Sequence, residues 1–218
     1  AYTGATTFLT NTDEVENAPT SWADIKDGDY TVALGDINGG NAQAAVIASA
    51  YAFGGDLNNL DPAFEFWTQM AEDGRINTLD ILQQNFETGE IPVGVIWSFT
   101  AIPYKDQITK YKLQANIPTD GSIMSGYASV INKYAPHPCA AALAREYIFS
   151  DEGQANLAAA GAIPTRTDVE IPDDIQNATF KSEDYANAIP MEDTDAYTKA
   201  CETVVERWQE EITPLLVQ

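Results

Sequence analysis

The stretch Ile91–Phe99 is a near-continuous apolar run that follows Glu87-Thr88-Gly89-Glu90. It lacks the apolar/polar alternation of a half-exposed strand, so as a strand it must be covered on both faces. It is also far shorter than the ~20 residues of a membrane-spanning helix. Around it, strands alternate with helices from about residue 30 to 160. Tyr30–Leu34 reads as a buried strand and feeds a helix of small residues, Ala42–Phe53, closed by Gly54-Gly55. Asp61-Pro62 reads as an N-cap with a first-turn proline, ahead of the stripe Phe64, Trp67, Met70, Ala71. Leu79, Leu82 and Phe86 make a further stripe. Leu113–Ile117 and Tyr127–Ile131 are strand candidates. That order predicts an α/β fold with a mostly parallel sheet flanked by helices.

The flanks follow the same rules. Thr3–Asn11 is β-prone, and Ser21 and Asp24 stand at capping-box spacing before a short helix. Pro136 and Pro138 open a helix to about Phe149, and a second runs from Gln154 to Ala160. Ala162–Asp168 reads as extended, and residues 169–194 as loops with short turns. A long amphipathic helix spans Asp195–Ile212 and is stopped by Pro214.

Charge removes whole classes of function. The chain carries 33 Asp and Glu against 11 Lys and Arg, a formal net charge of −22. Nucleic-acid binding needs clustered cations, so no nucleic-acid partner is expected. No apolar run supports direct membrane insertion, and no signal-peptide pattern opens the chain. Cys139 and Cys201 lack metal-site spacing and read as small core-lining thiols. The signatures of nucleophilic, zinc and nucleotide chemistry are missing, so no catalytic residue, metal or cofactor is expected. Asp36-x-Asn38-x-Gly40 opens like a calcium loop, but Ile47 stands where a bidentate Glu is needed. His137, between two prolines, reads as a surface turn.

Three stretches remain as candidates for binding. Asn38-Gly39-Gly40-Asn41 lies between a strand and a helix, where free backbone N–H groups favour a carboxylate, phosphate or phosphonate; an ordinary glycine-rich turn is the alternative. Trp97 and Ser98 close the apolar strand, at the strand end where open α/β sheets bind ligands; core packing is the alternative for Trp97. Gly121–Tyr127 reads as a small-polar loop carrying Ser122, Ser125 and Tyr127.

The order of motifs resembles the extracellular solute-binding proteins of bacterial ABC transporters, in the branch with ferric-iron, polyamine and aminophosphonate binders. Six motifs carry it: Pro19–Asp24, Ala33–Asp36 with its glycine turn, Glu87–Glu90, Tyr134–Pro138, Tyr147–Gln154 and Ala162–Arg166. The resemblance implies a periplasmic-binding-protein-like (type II) lobe. Residues 1–11 would form the first interlobe crossover. Residues 12–121 and 169–218 would form the second lobe, and 122–168 a C-terminal piece of the first, with the second and third crossovers. The family is normally longer by roughly 100 residues, the size of a small lobe, so a fragment is expected.

The resemblance also implies a function. It is capture of a small polar solute, anionic or amine-containing, outside the membrane and delivery to the permease of an ABC importer. The protein would be extracellular or periplasmic, lipid-anchored through a segment absent here. Gly39, Gly40 and Asn41 would offer backbone N–H groups. Trp97 and Tyr127 would form walls, and Ser98, Ser122 and Ser125 would give hydroxyls. Arg166 would pair with an anion or form a hinge salt bridge. Phe99 and Thr100 stand where ferric-iron binders carry paired tyrosines, which argues against iron. Trp97 agrees with the polyamine binders, whereas Ser125 and Tyr127 replace their Trp and Asp. Cys139 and Cys201 would fall in different lobes and stay unpaired. The rival readings are a hydrolase-type enzyme relying on Asp36 in the same cleft and an acidic interaction domain without a small ligand.

Overall fold

The computed structural model describes residues 1–216; residues 217 and 218 of the expected second-lobe segment lie outside the described residues. In chain order the elements are β1 (Tyr2–Asn11), α1 (Trp22–Asp27), β2 (Val32–Ala33), α2 (Gly40–Ala52), α3 (Asp61–Glu72), β3 (Ile76–Asn77), α4 (Gln83–Thr88) and β4 (Val93–Trp97). They continue as α5 (Ser98–Gln107), β5 (Leu113–Asn116), β6 (Ser122–Tyr127), α6 (Pro138–Ile148), α7 (Asp151–Ala159) and β7 (Ile163–Pro164). The last are α8 (Asp173–Ala178), a 3-10 turn (Ser182–Tyr185), β8 (Ala188–Pro190), α9 (Thr194–Arg207), a π turn (Trp208–Ile212) and α10 (Thr213–Leu216).

The fold is α/β, with one mixed sheet ordered β3-β2-β4-β1-β6-β8, and β5 and β7 added along β1. The pairs β2–β3, β2–β4 and β6–β8 are parallel. All four ladders of β1, to β4, β5, β6 and β7, are antiparallel. Helical crossovers make β2, β3 and β4 parallel, which is the part that strand–helix alternation can foresee. β1 precedes every helix, so its direction is free of that rule.

The period-2 alternation of the strands divides the interior into two cores. Phe8, Val32, Val93, Val95 and Trp97 face a core built with α2, α3 and α9. Leu9, Ala33 and Ile96 face a second core with Phe86, Ala101 and Ile108. β4 is therefore covered on both faces, as its composition demands. Gly94 is required there, because a Cβ would meet the Phe86 ring at 2.5 Å. α2 is buried nearly all round, with Ala42, Ala44, Ala45, Ala48 and Ala50 admitting neighbours at close range. Trp22 anchors the first core: its ring is edge-on to Phe8 and Trp67, and its Nε1 donates to the Gly121 carbonyl at 2.7 Å.

Local signals were met unevenly. Ser21 caps α1 by accepting from the Asp24 N–H, while the Asp24 carboxylate accepts from the Thr20 N–H. α3 is capped at Leu60 without a side-chain bond, and Asp61 instead accepts from Arg207 at 2.8 Å. The expected stripe at Leu79, Leu82 and Phe86 dissolves: Leu79 and Leu82 are exposed, and only Phe86 is buried on the short α4. The loop expected at Gly121–Tyr127 is instead strand β6, and residues 128–131 are irregular. Short strand β8 lies within the expected loop region. Pro214 does not stop the terminal helix but sits in the first turn of α10, beyond a π turn.

Cys139 is exposed rather than core-lining, because α6 has no buried residue; Leu143 on the same helix is 73% exposed. Cys201 is half-buried, and burial pushes its thiol up. Trp22→Ala is expected to lower stability by about 3–5 kcal/mol, whereas Leu143→Ala should stay within about 0.5 kcal/mol of the parent. Urea unfolding of both variants checks this.

Candidate functional site

At the C-terminal end of β2 the backbone turns through Gly35, whose φ of 75° a side chain would strain. The Asp36 carboxylate then accepts from both the Asn38 N–H at 3.0 Å and its Nδ2 at 2.9 Å. The Asp36 carbonyl takes the Gly39 N–H at 2.9 Å. Asn38 and Gly39 therefore spend their donors on the turn, which corrects the expectation that Gly39 offers a free N–H. The N–H groups of Gly40 and Asn41 open α2 with no carbonyl behind them. Nothing lies within 4 Å of a Cβ placed on Gly40.

The Asn41 side chain fixes this helix end. Its Nδ2 donates to the Val95 carbonyl at 2.7 Å and to the Leu34 carbonyl at 3.3 Å. One amide thereby ties the start of α2 to β4 and to the chain just beyond β2. Trp97 lies two residues further along β4, roughly 7 Å away by strand rise. Asp36 is exposed, and the bonds from Asn38 hold its carboxyl below the usual range. A carboxylate so stabilised is a poor proton carrier near neutral pH.

At the other end of the site four aromatic rings meet. Tyr2 stacks on Tyr127 with centroids 4.9 Å apart, and both meet Phe99 edge-on at 5.3 Å. Trp97 lies parallel to Phe99 at 6.1 Å and edge-on to Tyr127 at 6.2 Å. Only 8% of Trp97 is exposed against 36% of Tyr127, so Trp97 is the floor and Tyr127 the surface ring. Burial pushes the Tyr127 phenol up to about 12, helped by Tyr2. Tyr2 was not foreseen in this cluster. Its only signal was an aromatic residue at the start of a β-prone stretch.

The hydroxyls and the arginine fall elsewhere. Ser98 is fully buried and its Oγ accepts from the Ala5 N–H at 3.2 Å. Ser122 is fully buried and donates to the Thr6 carbonyl at 2.9 Å. Both stitch β1 to its neighbours instead of meeting a solute. Ser125 is half-buried on β6 opposite Gly4 and two residues from Tyr127. Arg166 donates to both oxygens of Asp168 (3.0 and 2.7 Å), to Asp151 at 2.7 Å and to the Phe149 carbonyl at 3.0 Å. Four of its five N–H donors are thus committed, three of them to carboxylates, so it is an internally paired cation and not an open anion ligand. Two grooves, about 560 Å³ at Glu14–Tyr30 and about 680 Å³ at Ala158–Tyr185, contain none of the expected residues. No group of His, Cys, Asp or Glu among the described residues could hold a metal ion, and no described helix is long and apolar enough to cross a membrane.

Solved structures share this fold. An ABC transporter structure from Clostridium perfringens aligns with 19% identity over 97% of this chain and 68% of that one, at a TM-score of 0.70. The periplasmic binding protein AfuA from Actinobacillus pleuropneumoniae, with exogenous fructose-6-phosphate bound, aligns with 20% identity over 97% and 67%, at 0.69. The spermidine/putrescine substrate-binding protein PotD from Streptococcus pneumoniae aligns with 15% identity over 97% and 68%, at 0.66. The fold is thus that of periplasmic binding proteins. No curated protein sequence matches significantly. The bacterial extracellular solute-binding protein family matches residues 1–189, and the chain belongs to that family.

Asn41→Ala would leave the Leu34 and Val95 carbonyls without this donor, an expected loss of about 1–3 kcal/mol in unfolding free energy. Tyr127 gives a pH test. Its phenol is raised when folded, so its contribution is full below the unfolded value of about 10 and is lost as pH rises through about 12. Tyr30 and Tyr185 are also pushed up to about 12 by burial, so ultraviolet titration should show a shared transition near 12 whose amplitude Tyr127→Phe lowers by one phenol.

Proposed function

We propose that this chain is the solute-capturing component of an ABC importer, acting outside the membrane and passing a small polar solute to the permease. Lipid anchoring through a preceding segment belongs to the same reading. The proposed solute carries an anionic group, which the Gly40 and Asn41 N–H groups receive, and a body that lies against the Tyr127, Phe99 and Tyr2 rings. Residues 1–11 are the proposed first crossover, residues 12–121 with 169–218 the second lobe, and 122–168 a piece of the first.

One observation carries the reading. A helix N-terminus is pinned by the Asn41 side chain to β4, whose far end carries the aromatic cluster. The N-terminus supplies a positive dipole end and directed donors, and the rings supply a flat apolar contact. AfuA, with fructose-6-phosphate bound, supports a phosphorylated solute. An amine-bearing solute is the second reading. It is favoured by the charged Asp36 beside the same turn, by the ring faces and by PotD, named for spermidine and putrescine.

The test is thermal unfolding with sugar phosphates, phosphonates, amino acids and polyamines. A ligand at about 100 times its dissociation constant should stabilise the protein by about 2.7 kcal/mol. Gly40→Pro then separates the two readings. Gly40 is the first helical residue, where proline is tolerated, and Gly39 before it is already extended at ψ 140°. The variant should fold normally and bind an anionic solute about tenfold or more weakly, the worth of one charged hydrogen bond. Unchanged affinity for an anionic solute would remove the helix end from the site, and a response to polyamines alone would favour the amine reading.

A further inference from the structure

Gln154, on α7, is fully buried and has no place in the site described above. All four hydrogen-bonding positions of its amide are used. Nε2 donates to the Ile148 carbonyl at 2.8 Å and to the Ala1 carbonyl at 3.2 Å. Oε1 accepts from the Thr165 N–H at 2.9 Å and the Arg166 N–H at 3.2 Å. One side chain therefore joins the end of α6, the exit of β7 and the residue that leads into β1.

The Ala1 arm of this clip leads to the rings. The Ala1 carbonyl also accepts from Thr165 Oγ1 at 3.2 Å, and the Ala1 nitrogen donates to the Tyr127 carbonyl. The next residue is Tyr2, which stacks on Tyr127 with an interplanar angle of 10° and meets Phe99 edge-on. β7 holds the same point from its other side, with Pro164 opposite Tyr2. We infer that Gln154 is a positioning residue for the solute wall: by fixing Ala1 it sets where the Tyr2 ring lies, and with it the tilt of Tyr127 and Phe99. The inference rests on the reading that these rings face the solute.

Tyrosine ring-proton NMR of the full chain, without solute, tests the positioning directly. Tyr127 resonances are assigned by their loss in Tyr127→Phe, and Tyr2→Leu marks their position once the stacking ring is gone. Gln154→Met keeps the bulk and removes every hydrogen bond of the amide. The Tyr127 resonances are expected to move in Q154M toward their place in Y2L, with the far-ultraviolet circular dichroism unchanged. A merely structural clip would lower the unfolding temperature and leave those resonances where they are, which would overturn the inference. Should Q154M fail to fold, Thr165→Val replaces it, removing the Oγ1 bond to Ala1 and the longer one to Gln154 Oε1 at 3.4 Å. A smaller movement in the same direction then supports the inference, and none overturns it. Because no solute enters this readout, failure of the solute screen would overturn the transport reading without touching the result for Gln154.

Discussion

The ladder of β1 is the constraint from which the other contacts follow. Its residues pair with β4 and β5 from Thr6 to Asn11 and with β6 and β7 from Tyr2 to Ala5. Partners change between Ala5 and Thr6, and side chains cover the handover. Ser98 Oγ takes the Ala5 N–H, and Ser122 Oγ supplies the Thr6 carbonyl. Buried backbone groups must be paired, and a hydroxyl can do so where no neighbouring strand continues. The same strand places Phe8 in one core and Leu9 in the other, and its first residue carries Tyr2 to the aromatic cluster.

The sequence was most legible where periodicity and punctuation agreed. Gly54 after α2, Gly89 after α4 and Gly161 after α7 all take positive φ, and the helices end just before them. α5 was hidden because it begins directly at the end of β4, with Trp97 in the capping position and Pro103 inside. Neither a cap residue nor a break announces it. β6 was hidden because Ser122, Ser125 and Gly126 resemble a loop, although pairing with β1 decides their conformation. β8, three residues long, exists through its pairing with β6.

The candidate site shows the same division. Asn38–Asn41 was visible as a glycine turn opening a helix, because that signal is local. Its tertiary part, the Asn41 amide reaching the Val95 carbonyl, was not. Ser98, Ser122 and Arg166 have the right chemistry for a polar solute, but burial and competing partners decide whether that chemistry is available. Asp168, two residues from Arg166, is what captures the guanidinium. The overall negative charge therefore coexists with a candidate anion site built from backbone dipoles, since a pocket responds to its nearest groups more than to distant screened charges.

Putting the chain's first strand at the centre of its sheet has a kinetic consequence. Thr10 finds Val93 across the ladder, and Tyr2 finds Pro164. Those partners lie far along the chain, so much loop entropy must be given up before the central strand is held on either edge. The parallel wing of β2, β3 and β4 has more local connections and can gather around α2 and α3 earlier. β1 would then close the structure last, as a spline driven between two partly formed halves.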